Sequence, residues 1–442
     1  MVRPTLPTIG RPSRTTAVRS VFAVLLLLSV LLLAGNYVTT ALGTSDRNAA
    51  SLAGNGVTVL TEQTGPLEVY GPNETELNEY ERYARYWDVD ESPVGSRTLL
   101  YTATKWVPKT ECDWKRCRRN VVGRLNLTTG EHTELFSRIY SDRGSNEWHD
   151  ADRVNGTHVA VAGIRKDRVF FADVESDRIT WQWHASERYP RDIGRGQYDW
   201  THLNDVEVLD DGRVMASVRN MDEVVFIRPG RGVIDDWTLG SNDNYDVLYE
   251  QHNMDYIPRD RGGPAVIVSD SHNNRIVEFQ RVNDQWRQSW VWKDAKMQWT
   301  RDGDRMPNGH TLITDTNGDR VFEVNERGEV VWLVETTKAY EAERLGTGDE
   351  SRGGQSAAAL GLPSHTTAGG PSGSKYSRFT LEVWQLFSDN APPYILNSIL
   401  FVLPPWIDPV QFLPLGVAGT TLVSWSGIEL YWRVDWRRLL PV

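Results

Sequence analysis

A repeated unit constrains the fold of this chain more than any other feature of its sequence. Four segments place an acidic residue three positions after a His or an Arg, and each is followed by a turn containing Gly. They read HDAD, HLND, HNMD and RDGD and begin at residues 149, 202, 252 and 301. An apolar strand, a polar loop, a second strand and a Trp-bearing strand follow in the same order. Short strands with turn signals at this spacing predict a four-stranded antiparallel blade, the unit of a β-propeller.

The same register extends in both directions, so that the units number six. Two further segments of this kind begin at Trp87 and Tyr340, and successive first positions lie 62, 53, 50, 49 and 39 residues apart. These steps are close to the length of propeller blades. The last unit lacks outer strands, whereas VTVLTE and LEVYGP near the N-terminus lack inner ones, and joining the two closes the ring. We therefore predict an all-β fold, a six-bladed β-propeller over residues 50–365.

The N-terminal end of the chain carries a long stretch without charge. Residues 20–44 contain the aliphatic run VFAVLLLLSVLLLA, and four arginines precede it. A stretch of this length can cross about 30 Å of hydrocarbon as a helix. Arginines on its N-terminal side predict a transmembrane helix whose preceding residues, 1–19, are cytoplasmic. A cleaved signal peptide is the alternative.

A second uncharged stretch lies at the C-terminal end, over residues 409–428 of a predicted helix at 409–430, and Arg433, Arg437 and Arg438 follow it. We expect a C-terminal transmembrane helix that returns residues 431–442 to the cytoplasm as a short tail. A buried core helix is the alternative for this stretch.

Two segments connect the predicted propeller to the C-terminal helix. Residues 366–393 read as a linker, and residues 394–407 are apolar but short and interrupted by Pro. This second segment predicts an interfacial or re-entrant element rather than a span. Together these expectations place the propeller on the external face of the plasma membrane.

Smaller signals agree with an exported domain. Asn73, Asn126 and Asn155 each begin an N-x-T sequon and are predicted glycosylation sites. Cys112 and Cys117 are the chain's two cysteines, and outside the cell a pair this close is expected to form a small-loop disulfide.

The charge balance disfavours nucleic acid as a partner. The chain has 48 Lys and Arg against 59 Asp and Glu, a net charge of -11. An acidic balance of this size repels the phosphate backbone of nucleic acid. Only eight of the basic residues are Lys, which resembles the composition of halophilic archaeal proteins.

Polar residues are expected to gather at one end of the propeller's central channel. The segment that leads into each innermost strand lies on the same face as the loop between the second and third strands, and we call this the histidine face. The unit starts on it are Trp87, His149, His202, His252, Arg301 and Tyr340. The loops add Arg165, Arg219, Asn220, His272 and Asn317. We expect the three histidines among the unit starts to occupy equivalent positions in consecutive blades.

The acids of the repeat have a structural interpretation. An acidic side chain present in all six units predicts a turn bond or an inter-blade hydrogen bond rather than catalysis. These acids are Asp90, Asp152, Asp205, Asp255, Asp304 and Glu343.

Three kinds of chemistry suit a ring of His with Arg. Three imidazoles can hold a zinc ion and leave one position open. A non-catalytic site that binds a ligand needs only shape and polar groups. The third possibility is transfer of an anionic group through a covalent His, with a second His as proton donor and Arg or Asn on the oxyanions.

Several motifs resemble the arylsulfotransferase family, the aryl-sulfate sulfotransferases that use no phosphoadenosine donor. They are the H-x-N-D run at residues 202–205, Arg219 after the next strand, the YEQHN run around His252 and the NGHTLITD run at residues 308–315. The similarity covers about residues 57 to 365. It implies a six-bladed propeller in which a His takes the sulfuryl group from a phenolic sulfate and passes it to an acceptor hydroxyl.

The resemblance also implies roles for individual residues, without a metal or another cofactor. His252 is expected to be the transfer nucleophile, and His202, Asn204 and Arg219 to form the cluster that holds the anion. His149 would be the other axial histidine. The substrate-binding set would comprise Trp87 and Tyr340 beside the aryl ring, with Arg301 and His272. The expected partners are an aryl sulfate donor and a phenol, glycan or lipid acceptor, the last two because the chain is predicted to be membrane-anchored.

Overall fold

The structure is a computed structural model, which describes residues 13–41, 56–142, 146–196, 199–348, 350–366, 378–403 and 411–433. Portions of the predicted cytoplasmic ends, linker and interfacial segment lie outside the described residues. These portions are residues 1–12, 367–377, 404–410 and 434–442. The chain divides into two compact units, one of residues 45–402 and one formed by residues 1–44 with 403–442.

The larger unit is built from six antiparallel sheets, which we number as blades in ring order. Blade 1 contains β4 (Arg85–Glu91), β5 (Thr98–Trp106), β6 (Cys117–Asn126) and β7 (Glu131–Ser141). Blade 2 contains β8 (Trp148–Asp150), β9 (His158–Gly163), β10 (Arg168–Asp173) and β11 (Arg178–His184). Blade 3 contains β12 (Leu203–Val208), β13 (Val214–Val218), β14 (Glu223–Arg228), β15 (Gly232–Val233) and β16 (Leu239–Gly240).

The remaining blades complete the ring. Blade 4 contains β17 (Met254–Ile257), β18 (Ala265–Asp270), β19 (Arg275–Val282) and β20 (Gln285–Trp292). Blade 5 contains β21 (Thr300–Arg305), β22 (Thr311–Asp315), β23 (Arg320–Val324) and β24 (Val330–Glu335). Blade 6 combines β25 (Ala339–Arg344) with β1 (Thr58–Glu62), β2 (Leu67–Tyr70) and β3 (Glu76–Tyr80).

Blade 6 closes the ring by joining the two ends of the propeller sequence. β25 supplies the inner strand and pairs antiparallel with β1, with Val59 opposite Glu343. The predicted all-β, six-bladed propeller is therefore confirmed, including the closure by N-terminal outer strands. A ring closed in this way leaves no unpaired inner edge between the first and last blades.

The apolar core lies between blades rather than at the axis. Six buried clusters each join two neighbouring blades. Trp183, Trp292 and Trp332 are buried in three of these clusters. This location agrees with an inter-blade packing role for the repeated tryptophans, since aromatic side chains bury a large area. Trp237 differs, because it ends a short 3₁₀ turn rather than lying in a strand.

Acidic side chains of the inner strands tie each blade to the next. Asp88 accepts a hydrogen bond from the Ala151 amide at 3.1 Å. Asp150 accepts one from the Val206 amide, and Asp205 accepts one from the Met254 amide at 2.5 Å. A second layer repeats the arrangement, and in it Asp152 accepts from the Val208 amide at 2.6 Å. The structural interpretation is thus confirmed for Asp152 and Asp205.

Three short helices follow the last blade within the larger unit: α2 (Ala357–Leu360), α3 (Arg378–Asn390) and α4 (Pro393–Val402). The predicted linker therefore contains a helix, α3, in its second half. The predicted interfacial segment is helical as far as Val402, and α4 packs onto the propeller with Leu396, Asn397 and Leu400 buried.

The smaller unit consists of two helices, α1 (Arg14–Ala41) and α5 (Phe412–Arg433). The Arg19 guanidinium pairs with the Glu429 carboxylate, and the rings of Phe22 and Trp425 stack. Among the described helices only α1, over Arg14–Ala34, is long and apolar enough to cross a membrane, a test that a signal sequence also passes. Transmembrane status for α5 stays a prediction.

The two cysteines and the three glycosylation sequons lie at the edges of blades. Cys112 and Cys117 are joined by a disulfide before β6. Asn73 and Asn155 are exposed in turns, whereas Asn126, at the end of β6, is partly buried and its side chain accepts hydrogen bonds from two turn amides. Glycosylation of all three stays a prediction.

Candidate functional site

A β-bulge near the start of the inner strand turns one side chain toward the axis in five of the six blades. The strand register skips one residue at Trp87, His149, Asn204, Arg301 and Tyr340 in blades 1, 2, 3, 5 and 6. A bulged residue is left out of the ladder, and bulges are over-represented beside active sites because they re-aim a side chain. We call these five residues, with His252 ahead of β17 in blade 4, the bulge layer.

The bulge layer corrects the predicted equivalence of the three histidines. His149 occupies the bulge in blade 2, but in blade 3 that position belongs to Asn204 and His202 lies two residues earlier. His202 instead sits in the turn ahead of β12 with φ 48°, a left-handed conformation that costs a side-chain-bearing residue about 1–3 kcal/mol. An acid three positions after the histidine occurs in both blades, and this spacing does not reveal the offset.

His252 is held in a single tautomer, in which Nδ1 is protonated and Nε2 has no hydrogen-bond partner among the described residues. It is fully buried, and its Nδ1 lies 2.7 Å from the Ser271 Oγ. The Ser271 hydroxyl donates its proton to the Thr300 carbonyl at 2.7 Å, so that its oxygen can only accept from the Nδ1–H of His252. Nε2 is therefore the unprotonated nitrogen of the ring, and no described residue offers it a hydrogen-bond partner.

His149 is positioned by its two neighbours in the bulge layer. Its Nδ1 lies 3.2 Å from Asn204 Oδ1 and 2.9 Å from the Tyr340 hydroxyl. Because Asn204 Nδ2 donates to the Gln251 carbonyl, its Oδ1 faces His149 and accepts the Nδ1–H. Trp87 stacks on the imidazole with 4.6 Å between ring centroids. His149 therefore also keeps its Nε2 as the unprotonated nitrogen.

His202 is the histidine with a carboxylate partner. Its Nδ1 donates to Asp199 Oδ1, and its ring lies 5.1 Å from that of His149. Arg219 Nη2 lies 3.9 Å from Asp199 Oδ2 and 3.5 Å from Glu250 Oε2. A carboxylate on Nδ1 stabilises the imidazolium form, so His202 is the ring best suited to carry a proton.

Arg301 is a buried cation without a counter-carboxylate. It is 2% exposed, and no carboxylate of a described residue lies within ion-pairing distance of its guanidinium. The guanidinium carbon lies 4.6 Å from the ring centre of Tyr340 and 4.8 Å from that of Trp299. Burial lowers the pKa of Arg301 to about 10, which leaves it charged at neutral pH. An uncompensated buried charge is costly, and an anionic ligand would offset it.

The electrostatics of the site keep His149 and His252 neutral. Burial holds the pKa of His252 and of His149 well below the ordinary histidine range, and neighbouring cationic groups lower both further. Burial and the charge of Arg219 also lower the pKa of His202, against the opposing pull of Asp199. A neutral imidazole is the nucleophilic form, so His252 is competent at neutral pH and below.

His272 lies in a network that reaches α4. Its Nε2 is 3.2 Å from Glu250 Oε2 and its Nδ1 is 3.0 Å from Asn397 Nδ2. Burial alone would raise the pKa of the Glu250 carboxyl, but the hydrogen bond from His272 and the charge of Arg219 lower it to about 2. The predicted substrate-binding residue His272 is thus enclosed between Glu250 and the helix that covers the histidine face.

Metal ligation by the axial histidines has no support in the geometry. Within the described residues, the groups whose ligand atoms lie within 4.8 Å of one another are entirely acidic. They are Asp88 with Asp90 and Glu341, and Asp255 with Asp302 and Asp304. Neither group contains His149, His202 or His252.

Sequence reasoning missed several residues that shape this site. Asp199, Ser271 and Asn397 hold the three predicted histidines His202, His252 and His272, yet none of them belongs to a repeated motif. Glu250 had a signal, since it stands in the YEQHN run two residues before His252. Trp299 precedes Arg301 and stacks on His272 at 5.9 Å.

Several solved structures resemble the chain over about two thirds of its length. A protein of unknown function from Bacteroides caccae is 10% identical and covers 65% of this chain and 98% of its own, with a TM-score of 0.45. The periplasmic gluconolactonase PpgL of Pseudomonas aeruginosa is 12% identical over 66% of this chain and 99% of its own, with a TM-score of 0.41. Virginiamycin B lyase of Staphylococcus aureus is 7% identical over 64% and 81%, with a TM-score of 0.39. Such scores do not establish a common activity, and no curated protein sequence matches the chain.

A family match covers the blades that carry most of the site. Residues 174–337 match the model of the arylsulfotransferase (ASST) family. This span runs from the end of blade 2 through blade 5 and includes His202, Arg219, His252 and Arg301. The match supports an enzyme of the aryl-sulfotransferase type, as the motifs implied. Over residues 174–337 the chain is therefore similar to the arylsulfotransferase family.

Proposed function

We propose that the protein transfers a sulfuryl group from a phenolic sulfate ester to an acceptor hydroxyl through a sulfated His252. The observation that carries the proposal is the pairing of a neutral, tautomer-fixed imidazole with a buried Arg301 that lacks a carboxylate partner. Both flank Tyr340, at 6.2 Å between ring centroids for His252 and 4.6 Å for the Arg301 guanidinium. A nucleophile beside an unpaired cation suits a substrate whose reacting group is an anion.

In the first half-reaction the Nε2 lone pair of His252 attacks sulfur and the aryl oxygen–sulfur bond breaks. The imidazole becomes an N-sulfo-imidazolium that keeps its Nδ1–H on Ser271. The protonated form of His202, which Asp199 stabilises against the effects of burial and Arg219, gives its proton to the leaving phenoxide, which departs as the phenol. Arg301 and the second amide hydrogen of Asn204 Nδ2 hold the sulfuryl oxygens in this proposal as charge shifts toward the leaving group.

In the second half-reaction the acceptor hydroxyl gives its proton to His202 and its oxygen attacks sulfur. The nitrogen–sulfur bond breaks, which returns His252 to its neutral form and His202 to its protonated one. The net change is an aryl sulfate and an acceptor hydroxyl converted into a phenol and an acceptor sulfate, without a cofactor. Asp199 supports His202 in this role because it stabilises the protonated ring in one half-reaction and orients the neutral ring in the other.

The test is release of a chromogenic phenol from its sulfate in the presence of a second phenol. We expect His252→Asn to lower this rate by about a thousandfold or more, since loss of a covalent nucleophile removes the whole pathway. The matched control is His158→Asn, which makes the same substitution at the opposite end of blade 2, where His158 contacts Thr157. The control should keep the wild-type rate.

Detection of the intermediate separates transfer from binding alone. Wild-type protein mixed with donor and no acceptor should gain the mass of one SO₃ group on the peptide that contains His252. A chain that binds the aryl sulfate and returns it unchanged, with no labelled peptide, would favour a ligand-binding propeller and overturn the proposal.

A further inference from the structure

The helices α3 and α4 form a cap over the histidine face. Asn397 on α4 contacts His272, and its backbone carbonyl accepts a hydrogen bond from Asn317 Nδ2 at 3.1 Å. The Leu400 carbonyl accepts one from Lys338 Nζ at 3.3 Å. Beneath the cap the residues of the bulge layer are almost completely buried. A substrate that enters from the histidine face must therefore pass the cap.

The outward side of the cap is apolar in a way that the propeller is not. Among the side chains that the structure describes, seven large apolar ones are exposed on α3 and α4, the same number as on the propeller between residues 56 and 366. On the cap they are Val383, Leu386, Phe387, Tyr394, Ile395, Ile399 and Val402, of which Tyr394 also contacts Arg195 and His272 of the propeller. On the propeller they are spread over distant strands and turns, whereas a contiguous apolar patch of this kind marks an interaction site.

The spacing shows that the cap's apolar side is a continuous stripe. Ile395, Ile399 and Val402 are separated by four and three residues, which places them on one side of α4. Leu396, Asn397 and Leu400 occupy the other side and are buried against the propeller. The helix has no charged residue, and while one of its sides is buried against the propeller, Ile395, Ile399 and Val402 are exposed on the other.

Neighbouring parts of the chain point to a bilayer as the partner. α1 is apolar and long enough to cross a membrane. α5 has no charged side chain from Phe412 to Ile428. Nine residues, 403–411, connect α4 to α5, and even fully extended they reach only about 30 Å. The cap's apolar stripe is therefore followed, only nine residues later in the sequence, by a second long segment without charge.

We propose that the outward side of α3 and α4 lies in the interface of a lipid bilayer. The histidine face is then turned toward the membrane, and the site takes an amphiphilic aryl sulfate or phenol from it. The first statement stands on the surface of the cap, whereas the second rests on the proposed sulfuryl transfer. An apolar helix side immersed at the boundary between headgroups and acyl chains is how interfacial helices bind membranes.

The first statement, that the cap lies in the bilayer interface, is tested with the full chain reconstituted in vesicles of phosphatidylcholine and phosphatidylglycerol. Both native cysteines are in the disulfide, so Ile399→Cys provides a single free thiol for an environment-sensitive fluorophore. Brominated phospholipids should quench this fluorophore at least about twofold more than the same label at Val331→Cys on β24, an exposed site on the propeller. Val402→Cys, whose native side chain is 77% exposed, repeats the test at a second position.

Equal quenching at the cap and at Val331 would overturn the proposal. Energy transfer between labelled copies at position 399 without quenching by lipid would assign the stripe to a second copy of the chain, and would overturn it as well. Neither result depends on catalytic activity.

The second statement, that the site takes an amphiphilic substrate from the membrane, is tested by comparing two donors that differ only in an alkyl tail. The double variant Ile395→Glu/Val402→Glu should turn over a vesicle-bound alkylaryl sulfate at least about tenfold more slowly than wild type, with a soluble aryl sulfate changed less than about twofold. Val331→Glu, the matched control, should change neither rate. Equal loss on both donors, or none on either, would overturn the substrate claim. If the wild type used neither donor, the proposed function would fail while the quenching result remained valid.

Discussion

Arg301 and Asp302 are adjacent on β21, yet only the side chain of Asp302 is hydrogen-bonded into the scaffold of the ring. Asp302 accepts hydrogen bonds from the Gly303 amide at 2.8 Å and from the Ala342 amide of blade 6 at 3.2 Å. Arg301, one residue earlier and in the bulge, has no carboxylate partner among the described residues and an unpartnered Nε. One side chain completes the scaffold, and its neighbour stays available to a ligand.

The same contrast recurs around the axis. Glu341 follows Tyr340 and accepts a hydrogen bond from Asn253 Nδ2 at 3.0 Å. Asp150 follows His149 and accepts one from the Val206 amide of the next blade. The residue after each bulge thus joins blades, whereas the bulged residue faces the channel. A bulge separates scaffold and chemistry by a single position along the chain, and this separation allows each to be perturbed alone.

The largest expected effect of breaking that separation is at Arg301. Arg301→Met should lower kcat/KM for an aryl sulfate by about a hundredfold to a thousandfold, the usual loss when a buried oxyanion donor is removed. The unfolding temperature should stay the same or rise, because an uncompensated buried charge is removed. Arg301→Lys, which keeps the charge but not the planar fork, should fall between the two rates. Steady-state kinetics and thermal unfolding check both halves, and a large drop in stability would show that Arg301 belongs to the scaffold.

A smaller effect is expected at Ser271, which fixes the His252 tautomer without touching substrate. Ser271→Ala should lower kcat by about tenfold, since the Nδ1–H then lacks its acceptor and the reactive tautomer is less populated. Ser271→Thr should restore most of the rate. Ser269→Ala is the matched control, because the Ser269 hydroxyl is buried and has no hydrogen-bond partner among the described residues. Imidazole nitrogen shifts measured by NMR would report the tautomer directly, and an unchanged tautomer in Ser271→Ala would contradict this role.

The contrast between the bulged residues and the acids that follow them also explains which features of the fold the sequence could predict. The blades followed from strand and turn spacing, because each blade is a local unit whose pattern repeats. The offset of His202 from Asn204 did not follow, because a bulge shifts register without changing the distance to the next acid. Ser271 and Asn397 belong to contacts between blades and between the propeller and α4, which only the closed ring brings together. Local patterns therefore predicted the scaffold, and the partners that tune the histidines required the fold.

The smallest effect on activity is expected at Asp302, and its signature is a pH dependence of stability. Burial raises the pKa of Asp302 to about 7, above its unfolded value of 3.8. Between these values the folded chain binds the extra proton, so this group's contribution to the free energy of unfolding falls as pH rises from about 4 to 7.

Asp302→Asn replaces the titrating group with a neutral one of the same shape. Near pH 4 the variant should match the wild type within about 1 kcal/mol, and toward pH 7 it should become the more stable protein by up to about 1.4 kcal/mol per pH unit. Denaturant unfolding at several pH values measures this crossing, and kcat/KM should change less than about threefold because Asp302 bonds to backbone amides rather than to substrate. A loss of activity as large as that of Arg301→Met, with no change in the pH dependence, would mean that the two neighbouring layers are not separable and that the carboxylates take part in the chemistry.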